Sequence, residues 1–422
     1  MKAIKFIVAA CLVLIGVGVA GTGVTLGQMY KSNQMNFEIK DQKDLKVTAL
    51  EKVYINSDVP VRIMPTDGKA YVTFDASGNG VIFPEPKYEL QVTSEGTSSH
   101  VNLKQIQDSE IYFFSSNWDE ELVVYIPAKD IDTLEVKINE GNYYRNDSVT
   151  FSSSTNIKNL KIDAQMIDLA LNGSYNSIDI GASRGNIDIY SKTPAQVKLS
   201  HGGVKTVLRG QIATANITND RGGDHSDIMI NSDIEAKVNI ETDYGKTQID
   251  GKLSELTVDA YNNEIDVNSS TPYNVNISSS ESTDVQLKGM IQNAIIEGGH
   301  GGEVKLYPTG TPKRIEILGE SIDVHTVLPK DISGFEIKKR VQYEDVVYEE
   351  DYNDYNHNNE EDVTIQEEPI YMEQNLGDNN SIYIDFKVKS ENLNNGLKRI
   401  YYGDEAMKMF IGATYGSVYI TK

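Results

Sequence analysis

The sequence predicts an all-β chain, a single-stacked β-solenoid of parallel coils of about 18–23 residues standing behind an N-terminal transmembrane helix. Three observations carry this. Short apolar alternations with a period of two fill the chain beyond residue 50, separated by Gly, Asp, Asn and Ser, which is the pattern of half-buried strands and their turns. From about residue 157 these strands recur at a near-constant interval. Before all of them stands an uncharged run from Phe6 to Gly27.

That run has 22 residues, close to the roughly 20 that cross a bilayer. Lys2 and Lys5 precede it. Residues 1–5 therefore read as a cytoplasmic tail and 6–27 as a retained anchor, with everything from about 28 onward outside the cytoplasm. The expected location is the cell membrane, single-pass, with the bulk of the chain extracytoplasmic. A cleaved signal ending at Ala20 is the alternative, because Gly18 and Ala20 are small. Gly23 and Gly27 have the G-x-x-x-G spacing that lets two membrane helices pack closely. Cys11, the one cysteine, lies within the run, so no intramolecular disulfide supports the fold. Too short a stretch precedes it for the usual lipidation signal.

Residues 28–50 read as a polar linker, and 51–150 as the N-terminal β region of the repeat domain, with strands such as "KVYINS" at 52–57, "VRIMP" at 61–65 and "YVTF" at 71–74. The repeats occupy 151–342. Aligning "IKNLKIDA", "YNSIDIG", "PAQVKLS" and their successors puts Leu160, Ile178, Val197, Ala215, Val238, Leu256, Val275, Ala294 and Ile315 in one inward column. Their spacings are 18, 19, 18, 23, 18, 19, 19 and 21. Most units add a second strand after a turn, as in "GNIDIYS" at 185–191, "GKTQIDG" at 245–251, "NEIDVNS" at 263–269 and "GEVKLYP" at 302–308. A fixed period of this length means stacked units. One coil buries on the order of five apolar side chains, worth roughly 1.5–3 kcal/mol each. Ordering about 19 residues costs on the order of 1.5 kcal/mol each. A lone coil is therefore unstable, and stacking supplies the shared core and edge-to-edge hydrogen bonds. Beyond the anchor, the only segment with a trace of helical spacing is a turn at "DEAMKMF", 404–410.

Residues 343–378 hold 13 acidic residues and no Lys or Arg, so the stretch 343–380 reads as an acidic disordered insertion, mobile and dispensable for folding. It also reads as the place for weak divalent-cation association. Strands resume at 381–422, which close the domain.

The net charge of −23 argues against nucleic acid, since phosphate contacts need clustered Lys and Arg. No catalytic, cofactor-binding or metal-ligating residue is assigned. The six histidines, His100, His201, His225, His300, His325 and His357, make no zinc spacing. His201 and His300 sit beside glycines and read as solvated turn residues. "RGGDHSDIMI" at 221–230 has a calcium-turn look but occurs once, where β-roll sites come in tandem. The middle residue of each apolar-x-apolar strand should face outward: Lys137, Asp179, Asp188, Lys198, Asp266, Gln286, Lys305 and Asp323. Their mixed signs suit a solvated face better than a sugar-cleaving ladder. Tyrosines number 24 against 10 phenylalanines. Exposed Tyr suits adhesion to a glycan or protein ligand, though Tyr also fits ordinary half-buried strands. Trp118, the single Trp, reads as core. Tyr343, Tyr348, Tyr352 and Tyr355 lie in the acidic tract, where a partner could meet them.

"ELVVYIPAKDIDTLEVKI" at 121–138 is echoed by "VHTVLPKDISGFEIKK" at 324–339, with Pro329 in the role of Pro127. "IGATYGSVYI" at 411–420 echoes "IETDYGKTQI" at 240–249. These phrases resemble the bacterial putative-adhesin family with β-strand repeats, an autotransporter-head-like domain of unknown function. The resemblance spans roughly 50–340 and 381–422. It implies an exported β-solenoid behind one membrane segment and supplies no catalytic residues. The function expected is thus a membrane-anchored, adhesin-like or structural interaction protein of the bacterial cell surface, not an enzyme. An accessory or sensor protein of a cell-envelope stress system is the alternative, and a carbohydrate-active β-helix enzyme the third reading.

Overall fold

The computed structural model describes residues 36–45, 50–83, 86–107, 111–139, 148–219, 225–330, 332, 334–340, 370–375, 381–393, 397–403 and 407–421. The fold is all-β, with 22 strands and no helix among these residues. No helix there is long and apolar enough to cross a membrane. The run 6–27 lies outside the described residues. So do most of the acidic tract, His357, and Tyr343, Tyr348, Tyr352 and Tyr355. The chain divides into two units, one reaching to Ala128 together with Glu135–Phe151, the other comprising Lys129–Leu134 and Ser152 onward.

The first unit mixes antiparallel and parallel ladders. Tyr71–Phe83 pairs antiparallel with Asn36–Asp44 on one side and Ile111–Pro127 on the other. Lys52–Ser57 runs parallel to Ser98–Gln107, and Val61–Thr66 parallel to both Ile111–Pro127 and Ser148–Ser153. Residues 36–44 therefore form a strand inside the stretch expected as linker. Their alternation places Phe37 inward, 7% exposed, and that is enough apolar content to fix a register. Pro127 is the last residue of its strand, where a missing N–H costs no ladder bond.

In the second unit, neighbouring strands pair in parallel at the repeat interval. Leu160 faces Ile178, Ala215 faces Val238, Val275 faces Ala294 and Ala294 faces Ile315. All nine residues of the aligned inward column are at most 3% exposed. The outward set, Lys137 included, is half-buried or exposed throughout. Extended stretches of 42 and 54 residues, Ser177–Thr218 and Ser226–Ser279, turn back on themselves, as Ser254 Oγ donating to Ala236 O at 2.9 Å shows.

Glycines and serines shape the corners. Gly245 and Gly416, the matching glycines of the two echoed phrases, have φ of 149° and 113°. A Cβ on either would drive into a backbone carbonyl oxygen, of Ser226 and Ile322 respectively. Only Gly fits both the backbone angle and the close approach. At another corner Gly173 faces Ser191, Gly210 faces Ser232, and Ser269 faces Gly289. Each of these buried serines donates to a carbonyl two residues on: Ser191 to Thr193 at 2.6 Å, Ser232 to Ile234 at 2.7 Å and Ser269 to Thr271 at 3.0 Å. The hydroxyl thereby satisfies a carbonyl that the turn takes out of the ladder.

The C-terminal strands do not simply follow the preceding strands in order. Met407–Tyr415 runs parallel to Arg314–Ser321 on one side and Gly334–Arg340 on the other. Val418–Thr421 lies parallel to both Asp323–Val327 and Ser381–Leu393. The last residues of the chain thus occupy the rung after 314–327, ahead of strands that precede them in sequence. "DEAMKMF" is no helical turn where it is described: from Met407 it is strand, because Met407, Met409 and Ile411 at period two are buried to 1%, 3% and 0% exposure. Residues 370–375, inside the expected insertion, also form a strand, antiparallel to Ser381–Leu393. Ile370, Tyr371 and Met372 give that end of the tract the apolar content its acidic part lacks.

Tyr175 and Tyr273 are fully enclosed in the second unit at 0% exposure, and Tyr273 donates to Lys288 O at 2.9 Å. Burial pushes both phenols above their ordinary value. A phenol with a raised folded pKa stays protonated after its unfolded counterpart, near 10, has ionised. Stability should be intact below about pH 10 and fall above it, by roughly 1.4 kcal/mol per pH unit for each such phenol. Urea unfolding across the alkaline range tests this. A Tyr175→Phe variant that kept the full parental slope would remove Tyr175 from the account.

Candidate binding face

The parallel register lines up outward side chains into columns. On the second strands one column reads Asp266, Gln286, Lys305, His325, Tyr419 and Tyr383. Its end is a stack of rings: His325 on Tyr419 at 4.4 Å and 12°, then Tyr419 on Tyr383 at 4.8 Å and 5°. The rung spacing of a sheet, about 4.8 Å, is what permits rings in one column to stack.

Charged members of these columns pair across rungs in several places, while Lys305 pairs with Glu303 along its own strand. Arg209 holds Asp188 through two hydrogen bonds of 2.6 and 2.8 Å. Lys237 meets Glu255 at 2.6 Å, Lys288 meets Asp266 at 3.7 Å, and Lys246 pairs with Glu264. Neutral amides do the same, Asn293 Nδ2 donating to Asn274 Oδ1 at 2.7 Å. Exposed pairs contribute roughly 0–1 kcal/mol each, so their main effect is to disfavour slipped registers.

The histidines divide. His201 is not a solvated turn residue: it is 1% exposed within Ser177–Thr218, its Nδ1 2.8 Å from Gly202 O. The inward parity of Val197 and Leu199 continues to it, and counting by twos from those residues would have found it. His300 is the exposed turn residue expected, paired with Glu320. His100 stacks on Tyr54 at 4.7 Å, and His225 Nε2 lies 3.4 Å from Asp227. Among the described residues no group of three or more His, Cys, Asp or Glu is placed to hold a metal ion. Residues 221–224 of the calcium-like turn, the Trp118 side chain and Cys11 lie outside the described residues.

At the corner between first and second strands lies an open depression of about 230 Å³. His225, Tyr244, Asn262, Asn263, Glu264 and Asp284 are among the residues lining it. Tyr244 is 43% exposed and Tyr261 41%. Their rings meet nearly edge to face at 5.3 Å and 65°. The Tyr261 hydroxyl donates to Glu281 Oε1 at 3.0 Å, a bond that, with the nearby carboxylate charge, raises its pKa. Asp284 accepts the Glu303 backbone N–H at 3.0 Å. No sequence motif marked this place. Its trace was only the recurrence of Tyr at 244 and 261, about one coil apart.

Comparison with known proteins adds the following. The family model described as Toastrack DUF4097 matches residues 50–295. No curated protein matches the chain. Among solved structures, the chain is similar to one described as a "putative cell adhesion protein" from Clostridium sporogenes, at 10% identity over 91% of this chain and 99% of that one, with a TM-score of 0.17. Two others are each described as a "putative adhesin". The one from Parabacteroides distasonis has 11% identity over 69% and 92% of the two chains, with a TM-score of 0.19. The one from Parabacteroides merdae has 10% identity over 68% and 93%, with a TM-score of 0.20.

Proposed function

The chain belongs to the Toastrack DUF4097 family, and from that premise we propose that it is a membrane-anchored, extracytoplasmic interaction protein of the adhesin-like kind, acting by binding and not by catalysis. In this reading residues 151–342 form a single-stacked β-solenoid that presents its outward columns, held out from the membrane by the helix at 6–27. The observation that carries it is the outward ladder itself. Many of its charged and amide side chains pair with one another across rungs and form a set, repetitive surface instead of converging on one reacting point. The uncharged run behind Lys2 and Lys5 supports the anchor.

Two measurements test the proposal. Fractionated cells expressing the full chain should yield it in the membrane, with its N-terminus intact and its β region open to protease added outside. A soluble form beginning near Gly21 would replace the anchor by a cleaved signal. Cells with and without the protein are then compared for retention on immobilised sugars and proteins, alongside an envelope-stress reporter. Retention that depends on the protein supports the binding role. A reporter response with unchanged retention would transfer the reading to an envelope-stress accessory protein.

A further inference from the structure

The depression beside Tyr244 is a surface feature that the ladder does not explain. We propose that it binds one ring of a neutral, hydroxyl-rich saccharide, an inference that rests on the reading of the chain as a surface interaction module and gives that module a ligand class.

Four observations converge. Tyr244 and Tyr261 expose about two fifths of their surface. Aromatic faces receive the C–H faces of a sugar ring, and the tethered Tyr261 hydroxyl holds its own ring in place without loss of order on binding. Beside Tyr244 stand planar polar groups, Asn262 with both a donor and an acceptor and the acceptor carboxylates of Glu264 and Asp284, to which neighbouring sugar hydroxyls can hydrogen-bond. Both carboxylates are already engaged, Glu264 by Lys246 and Asp284 by the Glu303 N–H. That leaves Glu264 with its charge answered by an ammonium and Asp284 with one acceptor position filled, both still able to accept from hydroxyls, which favours a hydroxyl-rich ligand over a cationic peptide. Finally, Asn263 lines the depression at 2% exposure, and its Oδ1 accepts no hydrogen bond. A buried acceptor of this kind is a cost that a ligand hydroxyl would relieve. At about 230 Å³ the space is small beside pockets for drug-sized ligands, roughly 300–1,000 Å³, and suits a single ring.

The test uses the full-length protein in detergent, titrated with chitotetraose, laminaritetraose and maltotetraose, and separately with octa-lysine. Binding is read by saturation-transfer NMR and calorimetry, on variants whose circular dichroism matches the parent. At least one saccharide should bind. Tyr244→Ala should weaken it about tenfold or more, and Tyr190→Ala, an exposed tyrosine on another coil, should leave it unchanged. Loss of binding in Asn262→Ala would support the same placement. The inference is overturned if none of the saccharides binds, if Tyr244→Ala and Tyr190→Ala behave alike, or if octa-lysine binds and depends on Glu264, which would make the depression a cationic-peptide site. Cells that lose retention when the gene is deleted, yet keep it with Tyr244→Ala, would sink this site and leave the binding role standing.

Discussion

Truncation after Gly403 is expected to unfold the closing part of the second unit, although it removes only the end of the chain. Met407–Tyr415 is hydrogen-bonded on both edges, to Arg314–Ser321 and to Gly334–Arg340. Val418–Thr421 is likewise bordered by Asp323–Val327 and Ser381–Leu393. The deletion therefore takes out an internal rung and leaves edges on both sides with unmet N–H and C=O groups. Five side chains, Met407, Met409, Ile411, Val418 and Ile420, are at most 3% exposed. At roughly 1.5–3 kcal/mol each, their loss is on the order of 10 kcal/mol, comparable with the whole net stability of a typical domain, about 5–15 kcal/mol. Limited proteolysis should open the region 314–340, and the far-ultraviolet strand signal should fall. Tyr419→Ala, which removes an outward ring from the stack and leaves the core residues in place, should be mild by comparison. A truncated chain melting within a few degrees of the parent would show that the C-terminal rung is dispensable.

That rung also marks the limit of what the sequence could reveal. Period two and a period of about 19 are local properties, and they located the inward column from Leu160 to Ile315 because its residues follow the first throughout and the second with intervals of 18 to 23. Spatial order is not local. Val324 and Val418 are partners across 94 positions, and no nearest-neighbour rule announces that the last strands enter ahead of 381–393. The echo of "IETDYGKTQI" in "IGATYGSVYI" was the available sign, since both phrases turn at a Tyr-Gly corner where a Cβ cannot fit. His201 was misread for a different reason. Adjacent glycines suggested a turn, but strand parity decided its direction, and the Gly202 carbonyl gives Nδ1 of the buried ring a partner. The strand at 36–44 was hidden by its charges: Glu38, Lys40 and Asp44 face solvent, while Asp41 and Lys43 share the side of Phe37 and are half-buried, so no clean alternation of apolar and polar residues marks it. The depression at Tyr244 left only the recurrence of Tyr at 244 and 261 as a trace, because its other residues, distant in sequence, look like ordinary turn residues.

The inward and outward assignment has its sharpest test in one pair of substitutions. Val275→Asp should be among the most destabilising single changes in this protein, while Asn276→Asp, next to it, should change little. Val275 is 3% exposed and faces Ala294 across the rung. Its neighbours in the column, Leu256 and Ala294, are 0% exposed and offer an incoming carboxylate no donor. The ionised side chain would lack both water and a partner, a penalty of several kcal/mol even if it is partly escaped by protonation. Because that escape needs a proton, the loss should shrink as pH falls toward the raised pKa of the new carboxyl. Asn276 is exposed, so a carboxylate there keeps its hydration. Urea unfolding of both variants at neutral and mildly acidic pH separates the cases. If Val275→Asp unfolds at the parental midpoint, the residue is not inside, and the alignment of the coils on which the column rests is out of phase.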